Sequence, residues 1–184
     1  ETSQVHERLE RLNAVLKATR RVGQLLNREK DVQKLLQQTV ETLIETRKYE
    51  AVWIALLRDE KIFKVFQAGK EKNYASFFAG LQEQEPFTCT RHALRHERAI
   101  CLHHTKNSCK DCPLSSELPN RTTIASKIIH NNIIYGVLTV YVDSHLLADD
   151  EELDLITGIA SDIGFALYSI ETEAKAEQAT AALR

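Results

Sequence analysis

The sequence predicts an α+β domain. Its core is a central, mainly antiparallel sheet of five or six strands, with the N- and C-terminal helices over one face and an irregular segment over the other. Three observations predict it. Apolar residues recur at helical spacing at both ends of the chain, they alternate with period two in the middle, and in the middle both alternating sets are apolar. A sheet apolar on both faces must be covered on both. The terminal helices supply one cover, so residues 69–120 must supply the other, and a cavity between that segment and the sheet is the expected ligand site.

Taken in order, residues 2–27 carry Val5, Leu9, Leu12, Leu16, Thr19, Gly23 and Leu26 at alternating spacings of four and three, a heptad seam on a helix. Asp31 reads as the N-cap of a helix to about Arg47, with Val32, Leu35, Leu36, Val40, Leu43 and Ile44 on its inner face. Strand-like runs follow at residues 50–57 and 62–67, joined by a turn at Asp59-Glu60. The middle segment holds short helical pieces at 74–81 and 89–97 and a strand at 99–104. A second hairpin joins residues 122–130 to 133–142 through Asn131-Asn132, since asparagine tolerates the positive φ of a tight turn. In its second strand Tyr135, Val137, Thr139 and Tyr141 are expected on one face, with Ile134, Leu138, Val140 and Val142 on the other. Asp149 and Asp150 open the last helix, where acidic residues suit the positive end of the helix dipole. Its run of Ile156, Ala160, Ile163, Leu167 and Ile170 fades into Ala, Glu and Lys, the pattern of a helix that leaves the core to become a connector. Ile163 is expected on its dimer seam.

Composition narrows the function. In 184 residues, 24 Lys+Arg stand against 26 Asp+Glu, a formal charge of −2, with 43% hydrophobic and 27% charged residues. That balance suits a globular domain and excludes a disordered chain or a dedicated nucleic-acid binder. The longest uncharged apolar runs fall short of the roughly 20 residues of a membrane helix, and the charged N-terminus is no secretory signal. No direct membrane contact is expected. A chain without methionine is expected to be a segment of a longer polypeptide. It contains no glycine-rich phosphate loop, nucleophile elbow or metalloprotease helix.

The order of elements, and three motifs within it, resemble a GAF domain. Ile133-Ile134-Tyr135-Gly136-Val137-Leu138-Thr139-Val140-Tyr141 is similar to the family's "xxIxGVLxVxx" strand. Residues 149–155 and 159–167 are similar to its closing "DxELLxxLAxQIAxAL" helix. Ala93-Leu94-Arg95-His96-Glu97-Arg98-Ala99-Ile100 resembles its "A(I/L)RxGxPV" step, departing at Glu97, where the family often has Gly. The resemblance spans roughly residues 29–170. It implies a connector and dimerisation helix at 1–28, a sensor core at 29–150, and a core and signalling helix at 151–184. The stretch from Cys109 to Leu114 resembles GAF domains of bacterial and archaeal multidomain sensors that carry PAS modules and histidine kinases. The implied protein is a cytoplasmic, noncatalytic sensor of a two-component type, homodimeric through its terminal helices.

All four cysteines fall within residues 89–112. Cys109 and Cys112 have C-x-x-C spacing, which lets two thiolates reach one metal or each other. Cys89, His92 and His96 form one stripe if helical, and Cys101 and His103 share a strand face. Cys89, Cys101, Cys109 and Cys112 are therefore candidate ligands for zinc or an iron-sulfur cluster, with three Cys and one His an equal alternative. Haem is a weaker candidate, because no C-x-x-C-H motif occurs. A redox-switching thiol pair and ordinary buried cysteines are the other readings. Trp53, Phe66 and Tyr135 are candidate ligand-binding aromatics, weighed against ordinary strand core.

Two further functions implied by the resemblance compete. A thiol-dependent enzyme of the free methionine sulfoxide reductase type would use Cys101, Cys109 and Cys112, but the family's "SEIVVP" strand is not recognisable in residues 122–129. Cyclic-nucleotide binding would need an Asn-Lys…Phe-x-x-x-Asp-Glu signature, which is missing. A purely structural dimerisation module is the remaining alternative.

Overall fold

The computed structural model describes residues 1–69, 86–103, 121–143 and 149–184. Helix α1 spans Thr2–Arg28 and α2 spans Val32–Arg47. Strands β1 (Ala51–Arg58) and β2 (Lys61–Gly69) form a hairpin. A short helix α3 (Thr88–Leu94) leads to β3 (Ile100–His103). Strands β4 (Arg121–His130) and β5 (Ile133–Asp143) form the second hairpin, and α4 runs over Asp150–Ala182. The five strands make one antiparallel sheet in the order β2-β1-β5-β4-β3. The expected helical piece at 74–81 lies outside the described residues.

Local chemistry explains the boundaries. Asp31 accepts hydrogen bonds from the backbone N–H of Gln33 and Lys34 at 3.0 and 3.2 Å, and Asp149 accepts one from Glu152 N at 3.1 Å, so both helix starts are capped as the sequence predicts. Asn131 and Asn132 adopt φ of 52° and 62°, the left-handed pair that a two-residue hairpin turn needs. Asp59 and Glu60 do the same in the first hairpin, with φ of 51° and 65°.

One face of the sheet carries Val52, Ile54, Leu56, Phe66, Ile124, Ile128, Leu138, Val140 and Val142, packed beneath α2 and α4. Helix α1 lies outside these, against α2 and α4, and buries Ala18, Val22, Leu25 and Leu26. Arg8 and Arg11, near the start of α1, meet Glu151 and Asp149 at the start of α4, while Lys30, just past the end of α1, meets Glu173 far along α4, so α1 and α4 run parallel. Gly164 permits the close approach of α4 to the sheet: a Cβ there would stand 2.7 Å from the Ile129 carbonyl oxygen.

The helical seams differ from expectation. On α4, Ile156, Ala160 and Ile163 are fully buried within the domain's own core and Leu167 is nearly so, so this stripe, Ile163 included, is no dimer seam. Residues 171–184 are exposed. On α1 the stripe divides: Leu26 is buried, while Val5, Leu9, Leu12 and Leu16 are 58%, 53%, 37% and 66% exposed. Helix α4 also has the length and mean hydropathy of a membrane-crossing helix, contrary to the reading of its sequence as too short in apolar runs. Its large apolar residues from Leu155 to Leu167 are core, apart from exposed Phe165.

Candidate functional site

The second face of the sheet differs in chemistry from the first. Ala51, Trp53 and Ala55 point here from β1, because successive side chains alternate, and their cross-strand partners Tyr141, Thr139 and Val137 follow on β5. Thr123 and Ala125 continue the face onto β4. Helix α3 covers it with Cys89, Thr90 and Ala93, all buried, and Ala93 meets Ala125 and Val137. Phe87, just before α3, packs edge-on to Trp53 with ring centroids 6.3 Å apart. Trp53 and Tyr141 are fully buried. Lys127 is drawn in at the margin, its Nζ donating to Glu97 Oε1 at 3.0 Å.

Beside this packed centre, between α3 and the tip of the first hairpin, opens a cavity of about 650 Å³. Leu57, Leu94, Ile134 and Pro86 give it apolar walls; Asp59, Glu60, Lys61, Arg91 and Arg95 give it a charged rim. Arg91 is braced by Pro86 O at 2.5 Å and Thr88 Oγ1 at 3.1 Å. An apolar pocket with a few polar groups at its rim suits a small organic ligand.

The three predicted aromatics do not share this face. Trp53 lies on it. Phe66 pairs with Ile54 and belongs to the core beneath the helices. Tyr135 also turns to the helices, packing on that core and donating to Glu171 Oε2 at 3.4 Å. The cause is a β-bulge: Ile129 pairs with Ile134 but Ile128 pairs with Gly136, leaving Tyr135 as an extra residue. The bulge reverses the expected alternation, so Ile134 reaches the cavity instead. It also explains Gly136, where a Cβ would stand 2.0 Å from the Ala55 carbonyl oxygen.

The four-cysteine set is not brought together either. Cys89 lies with Trp53 and Tyr141. Cys101 pairs with Ile124 of the helix-side core, so the two thiols occupy opposite faces of the sheet and cannot share a metal in this arrangement. Cys109 and Cys112 lie outside the described residues. His92 and His96 are exposed, and α3 ends before His96, whose Nδ1 lies 2.7 Å from His92 O. Among the described residues no three His, Cys, Asp or Glu side chains are placed to hold a metal ion. Burial pushes the Cys101 thiol up from its ordinary value, which keeps it protonated and a weak nucleophile at neutral pH.

Sequence reasoning missed what the acidic start of α4 does. Asp149 to Glu152 cap the helix, as expected, but each also meets a cation. Arg11 Nη1 lies 2.6 Å from Asp149 Oδ2, Arg98 reaches Asp150 and Asp154 at 3.4 and 2.7 Å, and Arg8 reaches Glu151 at 3.9 Å. Glu152 pairs with Arg47, both side chains only 7% exposed, and accepts from Tyr49 OH at 2.7 Å. The partners come from α1, the end of α2, the link between α2 and β1, and the segment after α3.

An antiparallel sheet with helices on one face and a cavity-bearing cover on the other defines the class: a three-layer α+β domain. The chain belongs to the GAF family, whose model, described as a GAF domain, matches residues 29–167. Solved structures share the fold. The GAF domain of a phosphoenolpyruvate-protein phosphotransferase from Coxiella burnetii superposes with a TM-score of 0.69 at 17% identity, over 88% of this chain and 96% of that one. Free methionine-R-sulfoxide reductase from Neisseria meningitidis, in complex with its substrate, gives 0.67 at 14%, over 86% and 91%. The nlh2 GAF domain of A. aeolicus in an inactive state gives 0.64 at 15%, over 88% and 97%. At these identities the likeness is one of fold. No curated protein matches the chain.

Proposed function

We propose that this GAF domain is a noncatalytic, cytoplasmic sensory module. It takes up a small organic ligand in the cavity beside α3 and relays occupancy through α1 and α4 to an effector in the same polypeptide, such as a histidine kinase. The observation that carries the reading is the division of the sheet: the cavity lies on one face, and the two long helices lie on the other. Arg98 and Ala99, just after α3, supply the route between them, through the Arg98–Asp154 pair and the Ala99 N–H donated to Thr157 Oγ1 at 2.9 Å. The exposed stripe Val5, Leu9, Leu12 and Leu16 supports a homodimer in which α1 packs against its copy. Because α1 and α4 are parallel, with α1 starting before α4 and α4 ending after α1, a shift at one end is carried along the dimer axis.

Mass spectrometry of the natively purified protein tests the reading. A retained small molecule, lost on denaturation and absent from a Leu94→Arg variant, is the expected result; equal retention by the variant contradicts the cavity assignment. Turnover of free methionine-R-sulfoxide with dithiothreitol would overturn the noncatalytic reading. The raised pKa of Cys101 and its position on the helix-side face argue against such turnover.

A further inference from the structure

The first three turns of α1 are held differently from the rest of the molecule. Among residues 1–13 no side chain is buried: Arg11 and Leu12 are the least exposed, Leu12 at 37%, and packing of α1 on the core begins at Val15, with full burial from Ala18. What fastens this stretch to the domain, among the described residues, is Arg8 to Glu151 and Arg11 to Asp149, with Arg11 Nη2 also 3.9 Å from Glu152 Oε1. An attachment by partly exposed ion pairs is weak and salt-sensitive. It contrasts with the Arg47–Glu152–Tyr49 group beneath, which is buried and fixes α4 to the α2–β1 junction. On the far side of the same two turns of α4, Arg98 and Ala99 bind Asp150, Asp154 and Thr157.

From this convergence we infer that the first two turns of α4 form a coupling junction: the segment after α3 pulls on one side of it through Arg98, and the position of residues 1–13 of α1 is set on the other side through Arg11. The buried Arg47–Glu152 pair is the pivot, since breaking it would leave a charge without its partner in the interior. The junction releases or fastens an arm that carries Val5, Leu9 and Leu12, so it governs the geometry of the apolar stripe offered to a partner. The inference deepens the sensory reading and rests on it for its purpose. Its test uses no ligand, so failure of the coupling and failure of ligand binding are separate results.

The experiment is hydrogen exchange on the protein and on R11Q, R98Q and the double variant, with R98K as a conservative control. R11Q is expected to speed exchange of the amides of residues 5–13 about tenfold, a change of about 1.4 kcal/mol in the opening free energy, while the α2 amides stay unchanged. R98Q, where Arg98 has its ion-pair partners among the described residues on α4 alone, is expected to speed the same amides several-fold, and the double variant is expected to fall short of the product of the two effects. Raising salt to 1 M should reproduce R11Q in the unmodified protein and add little in the variant. Two results overturn the inference: wild-type exchange in residues 5–13 of R98Q and R98K while R11Q exchanges faster, or salt-insensitive exchange there in the unmodified protein. If R98Q loses protection in α2 as well, R98A takes its place: faster exchange in residues 5–13 with α2 unchanged supports the inference, and wild-type exchange there overturns it.

Discussion

The two faces of the sheet are built from the same strands and do opposite things. Beneath α2 and α4 the face is aliphatic, with Ile54, Ile124, Ile128, Leu138 and Val140 fully buried in one cluster with the helices. Toward α3 it carries Trp53, Tyr141, Thr123 and Thr139 among alanines. Apolar packing on the first face holds the fold, because dry contacts of well-fitted aliphatic side chains supply most of the burial free energy. The second face mixes small, polar and aromatic residues at its buried centre, and the cavity opens beside it against Leu57, Leu94 and Ile134.

That contrast can be broken in order of severity. Ile163→Lys puts an unpaired cation into the helix-side core and is expected to cost more than about 4 kcal/mol, so circular dichroism should show an unfolded chain. Leu12→Lys, on the exposed stripe, is expected to leave the fold intact and halve the mass in sedimentation; an unchanged mass would remove α1 as the dimer seam. Gly136→Ala drives a methyl against the Ala55 carbonyl and should also destabilise by about 4 kcal/mol, whereas an ordinary melting temperature would contradict the bulge geometry. Ile54→Ala on the helix side should cost about 2–5 kcal/mol in denaturant unfolding. On the cavity side, Thr139→Val is expected to be neutral or stabilising by about 1 kcal/mol, because the buried Thr139 hydroxyl has no hydrogen-bond partner among the described residues.

A subtler prediction concerns alkaline pH. Burial raises the Tyr49 pKa above its ordinary value of 10.0, against the opposing charge of Arg47. The folded state then keeps the phenolic proton to higher pH than the unfolded chain does. The associated stability is complete below about pH 10 and is lost as pH rises through the folded-state pKa. Tyr49→Phe should remove that part of the alkaline loss, and at pH 7 should cost about 1.5–3 kcal/mol for the bond to Glu152. An identical alkaline slope in the variant would assign the loss to another group.

How much of this was legible in the sequence depended on range. Asp31, Asp149 and the Asn131-Asn132 turn act on backbone groups within three residues, and each was read correctly from local chemistry. On β5 the alternation from Val137 to Val142 is legible because no irregularity interrupts it there. At Tyr135 the same reasoning fails, since a period of two cannot reveal an extra residue, and the close approach of Gly136 to Ala55 that accompanies the bulge involves a residue 81 positions earlier. Proximity in sequence also misled the grouping of Cys89 with Cys101: twelve residues apart, they are separated by the sheet itself. The acids opening α4 were read as dipole partners because their cations lie about 50 to 140 residues away, beyond any local pattern.

The central claim is that the cavity face and the helix face communicate through the first turns of α4. Hydrogen exchange across the whole chain, comparing the protein with Leu94→Arg, tests it most directly, because Leu94 lines the cavity at the end of α3 and the change is made on the cavity face. The account predicts altered exchange in α3, in the first two turns of α4 and in residues 1–13 of α1, with α2 unchanged. Changes confined to α3 and its immediate neighbours would contradict it.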